Sequence, residues 1–501
     1  MGWIRNMVMK VLRIQPAPEN KTFIIREPFS YRTNVLRNRL WYRGDPSELE
    51  QFYKQSAMDN VSSSRFWAAV PSENRQIRKI HSGLPAMIVE RLADIVVSDM
   101  DKIELANEAL TELWKEISED NSFDELLGSS LIESLVEGDG AFKVTVDTEI
   151  SDYPIIEFYA GDKVKYKRER GRLQQIIYYT DYRHGDKDYQ LEETFGKGKI
   201  KYKLLSEDGK EVPISTIPEL VGLDETTFTG DYIWGVPLSF FKSTKWPDRG
   251  KSLFDSKADS FDALDEVISQ WWDAIRSGRV QKYIPEDLLP RNPENGLPIK
   301  PNPFDMDFIA AGKSFGEEVK DQITLVQPQI LYEAFVNSYA SALDMCLQGI
   351  ISPATLGIDL KKTDNAEAQR EKEKATLYTR GKIIERLNEV IPQLVSVVLK
   401  VYDNMQDKTP GDYEVTVTFG EYASPSFDNV VETVGKARTY GVMSIEESVE
   451  QMYGDTWTDE QKAEEVRRLK IEQGLIEKEE PETREKDDPP GSEDEDLDGE
   501  E

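Results

Sequence analysis

Residues 331–405 read LYEAFVNSYASALDMCLQGIISPATLGIDLKKTDNAEAQREKEKATLYTRGKIIERLNEVIPQLVSVVLKVYDNM, and their periodicity decides how the rest of the chain is understood. Leu331, Phe335, Tyr339, Leu343, Cys346 and Leu347 recur at helical spacing, which predicts a helix from Leu331 to Gly349, apolar almost all round its last turns. Ser352-Pro353 stops it, because proline lacks an amide donor and biases the residue before it away from helical angles. From Asn365 the pattern is helical again to Met405, roughly 60 Å of rod at 1.5 Å per residue, with a kink expected at Pro392. Its first half, Glu367 to Arg380, reads as polar all round and its second half as core.

Working outward, Phe261, Leu264, Val267, Ile268, Trp271, Trp272 and Ile275 place an amphipathic helix over Ser256 to Arg279, ending at Ser277-Gly278. Between the two helices, residues 280–329 hold seven prolines and three short candidate strands: Val280 to Ile284, Asp307 to Ile309 and Gln322 to Val326. They carry too little apolar surface for a core of their own, so edge pairing with a second copy is the expected support.

Further towards the N-terminus, Trp41, Phe52 and Tyr53 are expected packing points, and Ile77 to Ile95 is expected to be helical with a break at Ser82-Gly83 and Pro85. Leu105 to Ile117 predicts a further helix, and Ser122 with Glu125 predicts a capping box on the next. At Glu137-Gly138-Asp139-Gly140 the period changes from 3.6 to 2. Short alternating strands then run to Ile214, an antiparallel meander, followed by an irregular lead through Trp234-Gly235-Val236-Pro237. After the long helix, Tyr413 to Phe419 is a strand expected to join that meander. Three short helices follow, with Ser444/Glu447 and Thr458/Gln461 as start signals and Gly441, Gly454 and Gly474 as stops. The fold class is α+β, mainly helical and elongated, with an antiparallel meander.

Net charge is -32, of which -11 lies in the tail Glu477–Glu501 and -21 in the body. A body this acidic is expected to repel nucleic acid rather than grip it by counterion release. No run of about 20 apolar residues is present, so no membrane-spanning helix is expected. The single Cys346 excludes an internal disulfide and fits a reducing compartment. MGWIRNMVMKVLRI at the start lacks the h-region of a signal peptide and reads as an amphipathic packing or partner helix.

Catalytic chemistry is hard to find. Gly250-Lys251-Ser252 ends like a phosphate-binding loop, but Lys245 stands where that motif needs glycine. His81, read on a helix, and His184, read in a turn, have no cysteine near them for a metal site and no partners for a triad. Asp262/Asp265/Glu266 and Glu371/Glu373 read as solvated helix faces. No catalytic residue, metal ligand or cofactor is assigned.

Three segments carry a resemblance: GKSLFDSKADSFDALDEVISQWWDAIRSGRVQKYIP (250–285), GIISPATLGIDLKKTDNAEAQREKEKATLYTRGKIIERL (349–387) and YEVTVTFGEYASPSFDNVVETVGKARTYGVMSIEESVEQMYG (413–454). In order and spacing the chain, over about residues 60 to 475, resembles the portal proteins of tailed double-stranded DNA bacteriophages, the head-to-tail connector ring. The resemblance implies a non-enzymatic homo-oligomeric ring, usually a dodecamer, at one capsid vertex, assembled in the host cytoplasm and carried in the virion. Double-stranded DNA is packaged and ejected through it. The implied partners are a separate ATP-hydrolysing terminase large subunit, the major capsid and scaffolding proteins, and neck or adaptor proteins.

On that resemblance, 1–60 is an N-terminal region, 61–255 a wing, 256–279 and 330–349 stem helices, and 280–329 a clip that binds partners. Residues 350–364 would be a tunnel loop, 365–424 the long wing helix and returning strand, 425–476 a crown, and 477–501 an acidic tail. Ser352, Pro353, Leu356, Lys361, Lys362 and Thr363 are then the implied DNA-channel residues, and Tyr283, Pro285, Pro298 and Phe304 the implied clip contacts. Lys361 and Lys362 would touch phosphates transiently; as ordinary loop lysines they would simply be solvated. A different class remains open, a peripheral scaffold or adaptor that uses the basic N-terminal helix.

Overall fold

The computed structural model describes residues 27–58, 66–70, 77–278, 281–285, 289, 291–297, 308–311, 324–326, 329–358, 366–420, 427–454 and 457–474. It is an α+β fold. The chain divides into two units, Met1–Gly420 and Glu421–Glu501.

In the first unit, Tyr31–Arg43 (α1) and Pro46–Met58 (α2) bury Trp41 and Tyr53, with the indole N–H donating to the tyrosine oxygen at 2.8 Å. Leu84–Ser98 (α3) starts one residue after Gly83, whose φ is +70°. Residues 77–83 are therefore not helical, against the sequence expectation, and His81 lies in that irregular lead. Met100–Leu105 (β1) is a strand that sequence reading missed, since its partner is more than 300 residues away. Glu108–Asp120 (α4) and Phe123–Glu137 (α5) follow. Ser122 makes no capping bond: with only two residues between helices its backbone takes the left-handed conformation (φ 48°), whereas a capping residue needs extended angles.

The expected meander splits in two. Gly140–Thr145 (β2) and Ile155–Ala160 (β3) form one antiparallel sheet, which Gly235–Leu238 (β10), expected to be irregular, completes on the other side of β2. Val164–Glu169 (β4), Arg172–His184 (β5), Lys187–Gly196 (β6), Lys199–Ser206 (β7), Glu211–Val212 (β8) and Thr226–Thr227 (β9) form the other.

The glycines around the change of period serve close backbone approach. A Cβ on Gly250 would meet the Gly138 carbonyl oxygen at 2.0 Å. Buried Asp139 accepts the Gly250 N–H at 2.6 Å and pairs with the Arg249 guanidinium at 2.8 Å. Gly250 therefore closes a structural junction rather than opening a phosphate loop.

Ala258–Ser277 (α6) and Tyr332–Leu347 (α7) pack against each other. Their root is core, with Phe261, Leu264, Leu343, Cys346 and Leu347 buried, while Trp271 stacks on Phe335 near the far end. Burial pushes the Cys346 thiol up to about 12. Between them Gln281–Pro285 (β11) pairs with both Phe308–Ala311 (β12, parallel) and Thr324–Val326 (β13, antiparallel). The three expected strands thus pair with one another inside one chain.

Ala366–Met405 (α8) runs helically through Pro392. Its second half, with Ile383, Leu387, Val390, Ile391, Leu394 and Val398 all fully buried, is the centre of the core. Val415–Phe419 (β14) pairs with β1, not with the meander. Arg380 ties the two strands to α8: it reaches Asp99 at 2.7 Å and donates to the Gly420 carbonyl. No helix among the described residues is long and apolar enough to cross a membrane.

The second unit contains Phe427–Thr439 (α9), Ile445–Tyr453 (α10) and Asp459–Glu472 (α11). Val434, Ile445 and Val449 are its buried apolar residues among those described. The Thr458/Gln461 capping box is complete, and Ser444 caps α10 through the Glu447 N–H. Gly441 and Gly474 take the left-handed stop conformation, whereas Gly454 stays right-handed. The N-terminal helix and the acidic tail expected from sequence lie outside the described residues.

Candidate functional site

The break between α7 and α8 is a tethered turn. Gly349, at φ +77°, leads out of α7, and Pro353 opens a single 3-10 turn over Ala354–Leu356 that Gly357 closes at φ +71°. Two buried threonines on α8 hold it. The Thr376 hydroxyl accepts the Ser352 N–H at 2.9 Å and lies 2.9 Å from the Thr355 hydroxyl. Thr379 donates to the Ile350 carbonyl at 2.6 Å.

From the other side Lys257, just before α6, donates to the carbonyls of Met345 (2.7 Å) and Gln348 (2.9 Å). A cation there satisfies carbonyls left free at a helix end and meets the negative end of the helix dipole. Ile350, Ile351 and Leu356 are buried in the main core. The turn is therefore fixed to three helices before the chain reaches residue 359.

Ser352 is 2% exposed and Leu356 9%, and the Ser352 hydroxyl has no hydrogen-bond partner. An open depression of about 440 Å³, lined by Asp344, Met345, Gln348, Pro353 and Ala375 among others, flanks the turn. Lys361, Lys362 and Thr363 lie outside the described residues, as do Pro298 and Phe304. Tyr283 and Pro285 lie on β11, the middle strand of its sheet, opposite Ile309 and Ala311 of β12.

Sequence reading missed Thr376 and Thr379, because they sit in the stretch that looked polar all round; Thr376 is fully buried and Thr379 6% exposed. It also placed Asp265 on a solvated face. The structure buries Asp265 completely, where it accepts from His81 Nδ1 (2.7 Å) and from the Ser82 N–H (2.9 Å). The signal available was the serine at Ser269, one turn on, whose hydroxyl accepts the Ile80 N–H at 2.9 Å on the same face.

This His–Asp pair is not a catalytic arrangement among the described residues. His81 Nε2, where a nucleophile would stand, is buried without a partner, and Trp41 and Trp67 pack against the ring. No group of three or more His, Cys, Asp or Glu side chains able to hold a metal occurs among the described residues.

A larger open cleft, about 570 Å³, lies between α1, α5, β3 and β5. At its wall Arg39 makes a two-pronged ion pair with Glu137 (2.5 and 2.9 Å) and reaches Asp162 at 2.7 Å. Burial pushes the Glu137 carboxyl up to about 7 against the pull of Arg39.

No family model matches the chain, and no curated protein matches it. Among solved structures, it is similar to a chain in the neck of a native GTA particle computed with C12 symmetry. Identity is 13% and the TM-score 0.40, covering 76% of this chain and 89% of that one. A chain in the neck of an empty GTA particle computed with C6 symmetry is similar at 12% identity and a TM-score of 0.38, covering 74% and 90%.

Proposed function

We propose that this chain is the protomer of a ring-shaped homo-oligomer, a portal-type channel at one capsid vertex through which double-stranded DNA enters and leaves a phage head. The observation that supports it is the burial gradient along α6 and α7. Their root is core, yet at the other end Trp272 (61%), Ile275 (43%), Leu331 (71%) and Tyr332 (62%) are exposed. Large apolar side chains exposed at the end of a helix pair away from its core fit contact with identical neighbours, and head-to-tail contacts of that kind close rings.

In this reading the tethered turn is the rigid base of a tunnel loop. Ser352, Pro353 and Leu356 anchor it, and Lys361 and Lys362 meet passing phosphates. The strands of residues 281–326, with Tyr283 and Pro285, form the platform for terminase and later for neck proteins. Capsid and scaffolding proteins contact the body, and the terminase hydrolyses the ATP.

Negative-stain images of the purified full chain are expected to show rings with a central hole. A monodisperse monomer at high concentration overturns the proposal. Replacing Lys361 and Lys362 by Ala is expected to leave ring assembly intact while lowering DNA packaging or retention; wild-type filling of heads removes the lysine role.

A further inference from the structure

Acidity averaged over the whole chain conceals one basic face. Residues 163–172 read KVKYKRERGR, six cations to one anion in a chain of net charge -32. The register of the larger sheet decides where they point. Lys165, Ile177, Thr194 and Lys201 form one row across β4, β5, β6 and β7, and Lys167, Gln175, Gly196 and Lys199 form the next. Directly opposed residues share a face. The alternate rows, such as Tyr166, Ile176, Phe195 and Ile200, belong to the hydrophobic core, so the lysine rows face solvent.

Neither row contains an acid. Lysines two apart on one strand stand about 7 Å apart, and the β4 and β7 columns about 14 Å apart, given ordinary strand rise and spacing. Beyond Lys167 the β4 column ends on Glu169; Arg172 opens β5 directly opposite it, and Arg170 sits in the exposed turn between them.

Structural duty accounts for only part of this. Lysines on an edge strand such as β4 discourage strand addition. Lys201 and Lys203 are matched by Glu225 and Glu211, each at 3.1 Å. Neither explanation covers Lys199, which lies on a strand paired on both sides.

We propose that this face, through Lys165, Lys167, Arg170, Arg172 and Lys199, binds the phosphate backbone of a nucleic acid without sequence preference. The floor favours a phosphate backbone over a protein. Gln175 and Thr194 are half-buried and polar, Ile177 is half-buried, and Tyr179, the aromatic of the flanking row, is itself half-buried rather than an exposed anchor of the kind that dominates protein interfaces. Exposed cations grouped on a sheet, of which only Arg172 stands directly opposite an acid (Glu169), are the chemistry of backbone contact. Glu169 and Glu192 flank the two rows and oppose it; acids more than about 10 Å away do so weakly, being screened at 0.1 M salt. This inference holds whether or not the chain forms a ring.

The test titrates a short fluorescein-labelled mixed-sequence duplex with the full chain, and then the corresponding single strand. Binding of the duplex is expected at about 50 mM salt, falling with a log–log salt slope of about -4.5 for five phosphate contacts. Combining Lys165→Gln, Lys167→Gln, Arg170→Gln, Arg172→Gln and Lys199→Gln is expected to weaken binding more than about tenfold. All five are exposed, so the unfolding midpoint should not move.

Absence of binding at about 50 mM salt, or wild-type binding by the five-fold variant, overturns the proposal. Retention of polyglutamate with no duplex binding also overturns it, in favour of an acidic protein partner.

Discussion

His81 Nδ1 lies 2.7 Å from a carboxylate oxygen of Asp265, which is fully buried on α6 and whose other oxygen accepts the Ser82 N–H. The pair fastens the irregular segment before α3 to the root of α6. Asp265→Ala leaves a buried ring nitrogen and a buried amide without their acceptor, a loss of about 3 kcal/mol. Asp265→Asn keeps one acceptor oxygen and should cost less. Denaturant midpoints followed by tryptophan fluorescence check this, since Trp41 and Trp67 lie 5.5 and 6.4 Å from the His81 ring.

Thr376→Val removes the acceptor of the Ser352 N–H without changing side-chain size. The expected cost is about 1–3 kcal/mol, felt locally. Hydrogen exchange of residues 350–358 should accelerate while exchange in β5 and β6 stays as in wild type, and Thr376→Ser should restore protection. Unchanged exchange at Ser352 would show that the tether is dispensable.

Glu137 makes stability depend on pH in an unusual direction for a carboxylate. Burial raises it from 4.5 to about 7, so in between the folded chain holds a proton that the unfolded chain has released. The contribution is fully present below 4.5 and is lost as pH rises through about 7, by up to about 3 kcal/mol. Unfolding midpoints across that window should fall with rising pH for wild type. The Glu137→Gln profile should be flatter, at lower stability, because Arg39 keeps only Asp162 as an ion-pair partner.

Trp272→Glu places a charge in the exposed apolar end of α6 and α7. The chain should fold normally, with a stability change within about 0.5 kcal/mol. Light scattering after size exclusion is expected to show loss of the large assembly; an unchanged oligomer would place the contact between copies elsewhere.

Residue patterns alone located α6, α7, α8, β4 to β7, the three short strands between α6 and α7 and the helices after residue 426. Each is specified locally: a 3.6 period in Phe261 to Ile275, a period of 2 in Ile200 to Leu204, and the Thr458/Gln461 cap. The turn at Ser352-Pro353 was equally legible, because proline acts on its nearest neighbours. Its anchors were not. Thr376 and Thr379 read as polar surface because nothing within a few residues of them announces that Ile350 and Ser352 will dock there.

The sequence by itself therefore determined most of the elements, their order, the break at Ser352-Pro353 and the departure of Gly250-Lys251-Ser252 from a phosphate-loop motif, all of them consequences of backbone geometry and short-range periodicity. Only the tertiary structure decided which sheet each strand joins, that Asp265 is buried against His81, and that Lys165, Lys167 and Lys199 share one face of an acidic chain. Those facts depend on pairings between distant residues, and burial and local charge density are properties of neighbours in space, which composition averages away.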